Sequence, residues 1–221
     1  MRRHDRVYLR PDAAFRFACA AADDALSASV RAWIAAGRPL VAARQPAAAS
    51  EVLLGLTLPL AQQRQRVGCL VDASAIAQVQ APLAIGACLQ RLPAAYAAPL
   101  QALEQGIGAY GASIGVYGSL AWEALSGEAY RHADSDIDLI CDVHSERQYR
   151  TSLDLLAQAA QALPCRLDGE IRFPNGNAVA WRELLNAPDA SSELLVKGEL
   201  TVGLLPLGAL LDSLTVEECH V

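Results

Sequence analysis

The stretch Gly115–Val143, GVYGSLAWEALSGEAYRHADSDIDLICDV, decides how this chain is read. Two carboxylates, Asp136 and Asp138, stand inside the otherwise apolar run DIDLIC. Residues two apart on a strand point the same way, so both acids project from one face while Ile137 and Leu139 take the other. Buried charge is costly unless paired or bound to a cation. Two carboxylates this close repel until one holds a proton. A divalent cation removes the conflict. Mg²⁺ takes carboxylate oxygens together with substrate phosphates and keeps some of its waters. Two such ions about 3.5–4 Å apart clamp the attacking and leaving oxygens of an in-line phosphoryl displacement.

The residues upstream supply a matching anion site. Gly118-Ser119 joins the apolar strand SIGVYG to the helical pattern SLAWEALSG, which opens on Ser119 and stops at Gly127. Glycine lets the backbone approach a ligand closely, and the first amides of a helix are unpaired donors suited to phosphate. A triphosphate then rests one end on Gly118 and Ser119, with its α-phosphate beside the metals. A third carboxylate completes such a site, and RLDGEIRF places both Asp168 and Glu170 on one face of a further strand. Taken alone, an Asp-x-Asp is usually a solvated turn and a Gly-Ser a helix cap. The order strand, Gly-Ser, helix, Asp-x-Asp strand, acid-bearing strand is far more specific. Lys197, the only lysine, lies in LLVKG. An ammonium in that apolar setting needs a partner, so it reads either as a phosphate-binding group or as an edge lysine.

The remaining sequence organises around this core. "RVYL", "RPLVAARQ", "EVLLGLTLP" and "QRVGCLVD" read as strands, and Leu26, Val30, Trp33 and Ile34 form one helical stripe ended by Gly37. "AIAQVQAPLAIGACLQRLP" fits strand and helix equally. Prolines 82, 93 and 99 mark a boundary. A smaller β-rich N-terminal domain with one helix is expected over 1–82, and the site-bearing domain over 83–221. In the latter, APLQALEQGIGAYGA and SERQYRTSLDLLAQAAQAL are helices, the second capped by Ser145. Asn175-Gly176 is a hairpin turn, RELL and LLPLGALLDSL are short helices, and ELLVKGELTVGLL holds a strand. The fold class is α+β, with helices flanking a mixed sheet.

Composition narrows the function. The 221 residues are 53% hydrophobic with a net charge of −6. That charge argues against broad nucleic-acid binding, and no run is long and apolar enough for a membrane span. The N-terminal MRRHDRVYLRPDAAFRF has no apolar signal core, so a cytoplasmic protein is expected. The six cysteines show no metal or redox spacing. Trp122 reads as a core residue or as an adenine platform.

The segments YGSLAWEALSG and SDIDLI resemble the nucleotidyltransferase superfamily that includes DNA polymerase beta. With RHDRVYL, GRPLVAARQ, LGLTLPLAQQRQRVGCLV, RLDGEIRFPNGNAVAWREL and LLVKG, the resemblance narrows to the malonate decarboxylase holo-[acyl carrier protein] synthase family. That likeness spans nearly the whole chain and implies a nucleotidyltransferase-like sheet. It implies transfer of phosphoribosyl-dephospho-CoA from 2′-(5″-triphosphoribosyl)-3′-dephospho-CoA to a serine of the acyl carrier protein of malonate decarboxylase, with pyrophosphate leaving. It assigns Mg²⁺ to Asp136 and Asp138, the triphosphate to Gly118 and Ser119, and the third carboxylate to Asp168 ahead of Glu170. It also gives Arg64 and Arg66 the place of a basic residue of the family pattern. An acidic carrier needs a local basic patch, for which Arg147, Arg150, Arg166, Arg172 and Arg182 are candidates. The rival readings are a transferase using a nucleoside triphosphate on a small molecule or protein, and a silent binding protein.

Overall fold

Twelve strands and seven α-helices form among residues 1–19, 23–46 and 50–215, which the computed structural model describes. The chain divides into two units. Met1–Pro82 with Leu125–Tyr130 makes the first, and Leu83–Ala124 with Arg131 onward the second.

The first unit contains β1 (Arg6–Leu9), β2 (Phe15–Phe17), α1 (Asp24–Ala35), β3 (Leu40–Ala42), β4 (Val52–Thr57), β5 (Arg66–Val71) and β6 (Ile76–Gln80). Its sheet runs β2-β5-β4-β3-β1-β6, with every pairing antiparallel. The Asp23 carboxylate caps α1 by accepting from the Leu26 amide at 2.8 Å. The helix buries Val30, Trp33 and Ile34, and Leu26 falls at the margin of that stripe. The ambiguous segment resolves into β6 and, beyond Pro82, the short helix α2 (Ile85–Cys88). β2 has no counterpart in the sequence reading. Its three residues carry an arginine in the middle, and pairing with Cys69–Val71 creates the strand.

The second unit continues with α3 (Ala97–Ala109), β7 (Ser113–Tyr117), α4 (Gly118–Ser126, of which Leu125 and Ser126 count with the first unit), β8 (Ile137–Asp142), α5 (Glu146–Ala162), β9 (Leu167–Arg172), β10 (Ala178–Ala180), α6 (Trp181–Asn186), β11 (Glu193–Lys197), β12 (Val202–Pro206) and α7 (Leu207–Leu211). The sheet order is β12-β11-β10-β9-β8-β7. β8 and β9 are parallel, joined through α5, while the other neighbours are antiparallel, so the sheet is mixed. ELLVKGELTVGLL yields two strands rather than one, with β12 as an exposed edge.

Alternation along β8 and β9 sorts the residues by face. Ile137, Leu139 and Cys141, with Leu167 and Ile171, join the core built by Leu100, Leu103 and Ile107 of α3 and Leu153 and Leu156 of α5. Asp138, Ile140 and Asp142 take the other face with their register partners Asp168, Glu170 and Arg172. The Arg172 guanidinium grips Asp142 through bonds of 2.6 and 2.9 Å and is 2% exposed. This corrects its assignment to a docking patch, since a buried, fully engaged arginine presents no charge to a partner.

Candidate active site

Topology brings the predicted residues together. β8 and β9 start at the same end of the sheet, and antiparallel β7 finishes there. Tyr117 stands opposite Asp138, and Asp138 opposite Asp168. The turn from β7 into α4 therefore abuts the acids. Gly118 has φ +70, a conformation L side chains rarely adopt. A Cβ built there would overlap the Asp138 Oδ2. Both requirements select glycine, and they set the Asp138 carboxylate against the turn backbone. The helix begins at Gly118, one residue before the expected start, so Ser119 is buried within the first turn instead of capping it.

Asp136 lies immediately before β8. A turn in which the Ser135 amide bonds the His132 carbonyl (3.1 Å) and the His132 amide bonds Ser135 Oγ (2.9 Å) delivers it. The Ile137 amide then donates to the Arg166 carbonyl at 3.0 Å, tying this corner to β9. Asp168 Oδ1 accepts from the Gly169 amide at 2.9 Å. Gly169 sits at φ +138, where a Cβ would overlap the Leu139 carbonyl. The glycine inside LDGEIR thus allows β9 to lie close to β8 beside the acids.

The two acids of β9 have different surroundings. Asp168 is 35% exposed. Glu170 is 4% exposed and receives the Lys197 ammonium at 2.9 Å. Lys197 thus directs its charge at Glu170. Arg166 faces the outer acids, its Nε 3.9 Å from Asp136 Oδ2 and its Nη2 3.5 Å from Asp168 Oδ2. As the side chains are arranged, no three of His, Cys, Asp or Glu among the described residues gather closely enough to share one ion. The donor chemistry nonetheless suits a hard divalent cation. Asp136, Asp138 and Asp168 offer only carboxylate oxygens, and a guanidinium already stands where positive charge is needed.

The sequence reading placed Arg166 among docking candidates and missed its contact with the acids, although its position two residues before Asp168 puts it on their face. It also passed over Gly169. Of the other docking candidates, Arg147 lies over the Tyr110 ring, Arg150 pairs with Glu146, and Arg182 stacks on Trp181. Trp122 is buried.

Residues 2–82 match the family model of the Phosphoribosyl-dephospho-CoA transferase MdcG N-terminal domain, and residues 75–207 that of the MdcG C-terminal domain. The chain belongs to the phosphoribosyl-dephospho-CoA transferase family. All of the site acids fall within the C-terminal match. A phosphoribosyl-dephospho-CoA transferase of Xanthomonas euvesicatoria pv. vesicatoria is 37% identical over 210 residues, 94% of this chain and 95% of its own. One from Xanthomonas campestris pv. campestris is 38% identical over the same shares. One from Bradyrhizobium diazoefficiens is 34% identical over 92% of this chain and 89% of its own. No solved structure matches the chain significantly. Among the described residues, no helix is long and apolar enough to cross a membrane.

Proposed function

We propose that this protein transfers phosphoribosyl-dephospho-CoA from 2′-(5″-triphosphoribosyl)-3′-dephospho-CoA to a serine of the malonate decarboxylase acyl carrier protein, in the cytoplasm, releasing pyrophosphate. The second sheet then serves as a nucleotidyltransferase-like platform. The observation that carries the reading is the register line Tyr117–Asp138–Asp168 ending against Gly118. It joins a carboxylate set to a glycine turn at the start of a nine-residue helix.

The acceptor hydroxyl attacks the α-phosphorus. A P–O bond to serine forms while the P–O bond to pyrophosphate breaks, and the hydroxyl proton leaves to solvent. The amides of the Gly118–Ser119 turn hold the triphosphate at the α4 N-terminus. Asp136, Asp138 and Asp168 would hold Mg²⁺, which when bound neutralises charge developing on the leaving group. Glu170 pairs with Lys197 two residues along β9 from Asp168. Positioning and electrostatics carry most of such a transfer.

Mass spectrometry of the apo carrier tests the proposal. After incubation with enzyme, Mg²⁺ and triphosphoribosyl-dephospho-CoA, the carrier gains the mass of the prosthetic group. With ATP as the only donor its mass stays unchanged. Labelling from ATP instead would assign the enzyme a different donor and overturn the reading.

A further inference from the structure

Two arginine–carboxylate arrangements occupy the same face of β8 and β9, and they are built differently. Arg172 and Asp142 form a buried, two-point pair at 2.6 and 2.9 Å. Arg166 meets Asp136 and Asp168 at 3.9 and 3.5 Å, beyond hydrogen-bonding range, with its own side chain 59% exposed. The first is locked. The second is a longer contact, made by a side chain that lies mostly in solvent. Its root is nevertheless fixed, because the Arg166 carbonyl accepts the Ile137 amide that opens the β8–β9 ladder. The charge can leave the acids but remains within a side chain's length of them.

We propose that Arg166 is an internal competitor of the divalent cation: it offsets the repulsion of Asp136 and Asp168 until metal binds and is then displaced. The inference rests on the metal site proposed above. A cation entering this corner meets carboxylates already partly neutralised, so metal alone binds weakly. A polyphosphate changes the balance by offering the released guanidinium another anion, so metal and substrate assist each other's binding. The arginine thereby opposes loading of the site with metal before substrate is present.

Mn²⁺ alone, titrated into the full-length chain and followed by electron paramagnetic resonance, tests this without any turnover. Arg166→Ala should bind Mn²⁺ about threefold to tenfold more tightly than wild type, the range expected for removing two exposed ion pairs. Arg166→Lys keeps the positive charge and should stay within about twofold of wild type. Asp138→Asn should lose Mn²⁺ binding. If Arg166→Ala binds Mn²⁺ no more tightly than wild type while Asp138→Asn still abolishes binding, the competitor role is wrong and the metal site stands. If Asp138→Asn binds like wild type, or no variant binds, the metal site itself fails and the inference with it.

Discussion

A single methyl group at residue 118 separates two demands on the site. Gly118→Ala forces an L side chain into a left-handed conformation, costing about 1–2 kcal/mol, and drives the new Cβ into Asp138. Gly37 shares nearly the same φ, +69, with nothing within 4 Å of its would-be Cβ. Gly37→Ala should therefore lower stability by about 1 kcal/mol and leave transfer intact. Gly118→Ala should lower transfer at least about 100-fold, as expected when a catalytic geometry is displaced by about an ångström. Thermal melting together with initial rates of carrier modification checks both. Equal rates for the two variants would show that the Gly118–Asp138 contact has no catalytic consequence. Lys197 offers a second test at this scale. Lys197→Met removes the ammonium partner of buried Glu170 and should destabilise the fold by about 1–3 kcal/mol. Adding Glu170→Gln should recover most of that loss, measured by denaturant unfolding as a double-mutant cycle. No recovery would mean that the two charges are not energetically coupled.

Among the elements, α5 is the plainest consequence of sequence. Its buried positions Tyr149, Ser152, Leu153, Leu156 and Ala159 recur at helical spacing, and the Ser145 hydroxyl accepts from the Gln148 amide at 3.3 Å. Ser145→Ala should cost about 1 kcal/mol of stability, seen as a lowered melting midpoint with transfer per folded molecule unchanged. Other elements were less legible. Periodicity located β8 and β9, because apolar residues alternate with acids. It did not separate β11 from β12, since no strong turn signal breaks Gly198-Glu199-Leu200-Thr201 and the hairpin is defined by pairing along five register positions. The start of α4 differs from the reading for a related reason. Ser119 carries the residue type of a cap, but the left-handed turn lies at Gly118 and the helix opens there.

Across the whole molecule, the sequence carried the order of motifs but not the partners that tertiary contact selects. The acids of the site were legible because apolar surroundings make charge conspicuous. Arg166 was not, because one arginine among 18 basic residues looks like any other until β8 and β9 align. Nor does any composition shift mark Leu125–Tyr130 as belonging with the first unit. Burial also gives the molecule an alkaline weakness. Desolvation in the sheet core pushes the Cys141 thiol up to about 12 from an ordinary 9.0, and Cys69 in the first unit to about 11. The unfolded thiols ionise first, so above about pH 9 the unfolded state binds fewer protons and stability falls as pH rises toward the folded values. Between pH 9 and pH 10.5 Cys141 alone should remove about 1.6 kcal/mol. Urea unfolding of wild type and Cys141→Ala at the two pH values checks this. The variant should lose less stability over the interval, and an equal loss would place the alkaline sensitivity elsewhere.

The measurement that bears most directly on the account is the mass of the apo carrier after incubation with Asp138→Asn enzyme, Mg²⁺ and triphosphoribosyl-dephospho-CoA, the variant first shown to melt like wild type. The carrier should remain unmodified while wild-type enzyme converts it fully. Modification by the variant at a rate near that of wild type would contradict the assignment of catalysis to the Asp138–Asp168 corner.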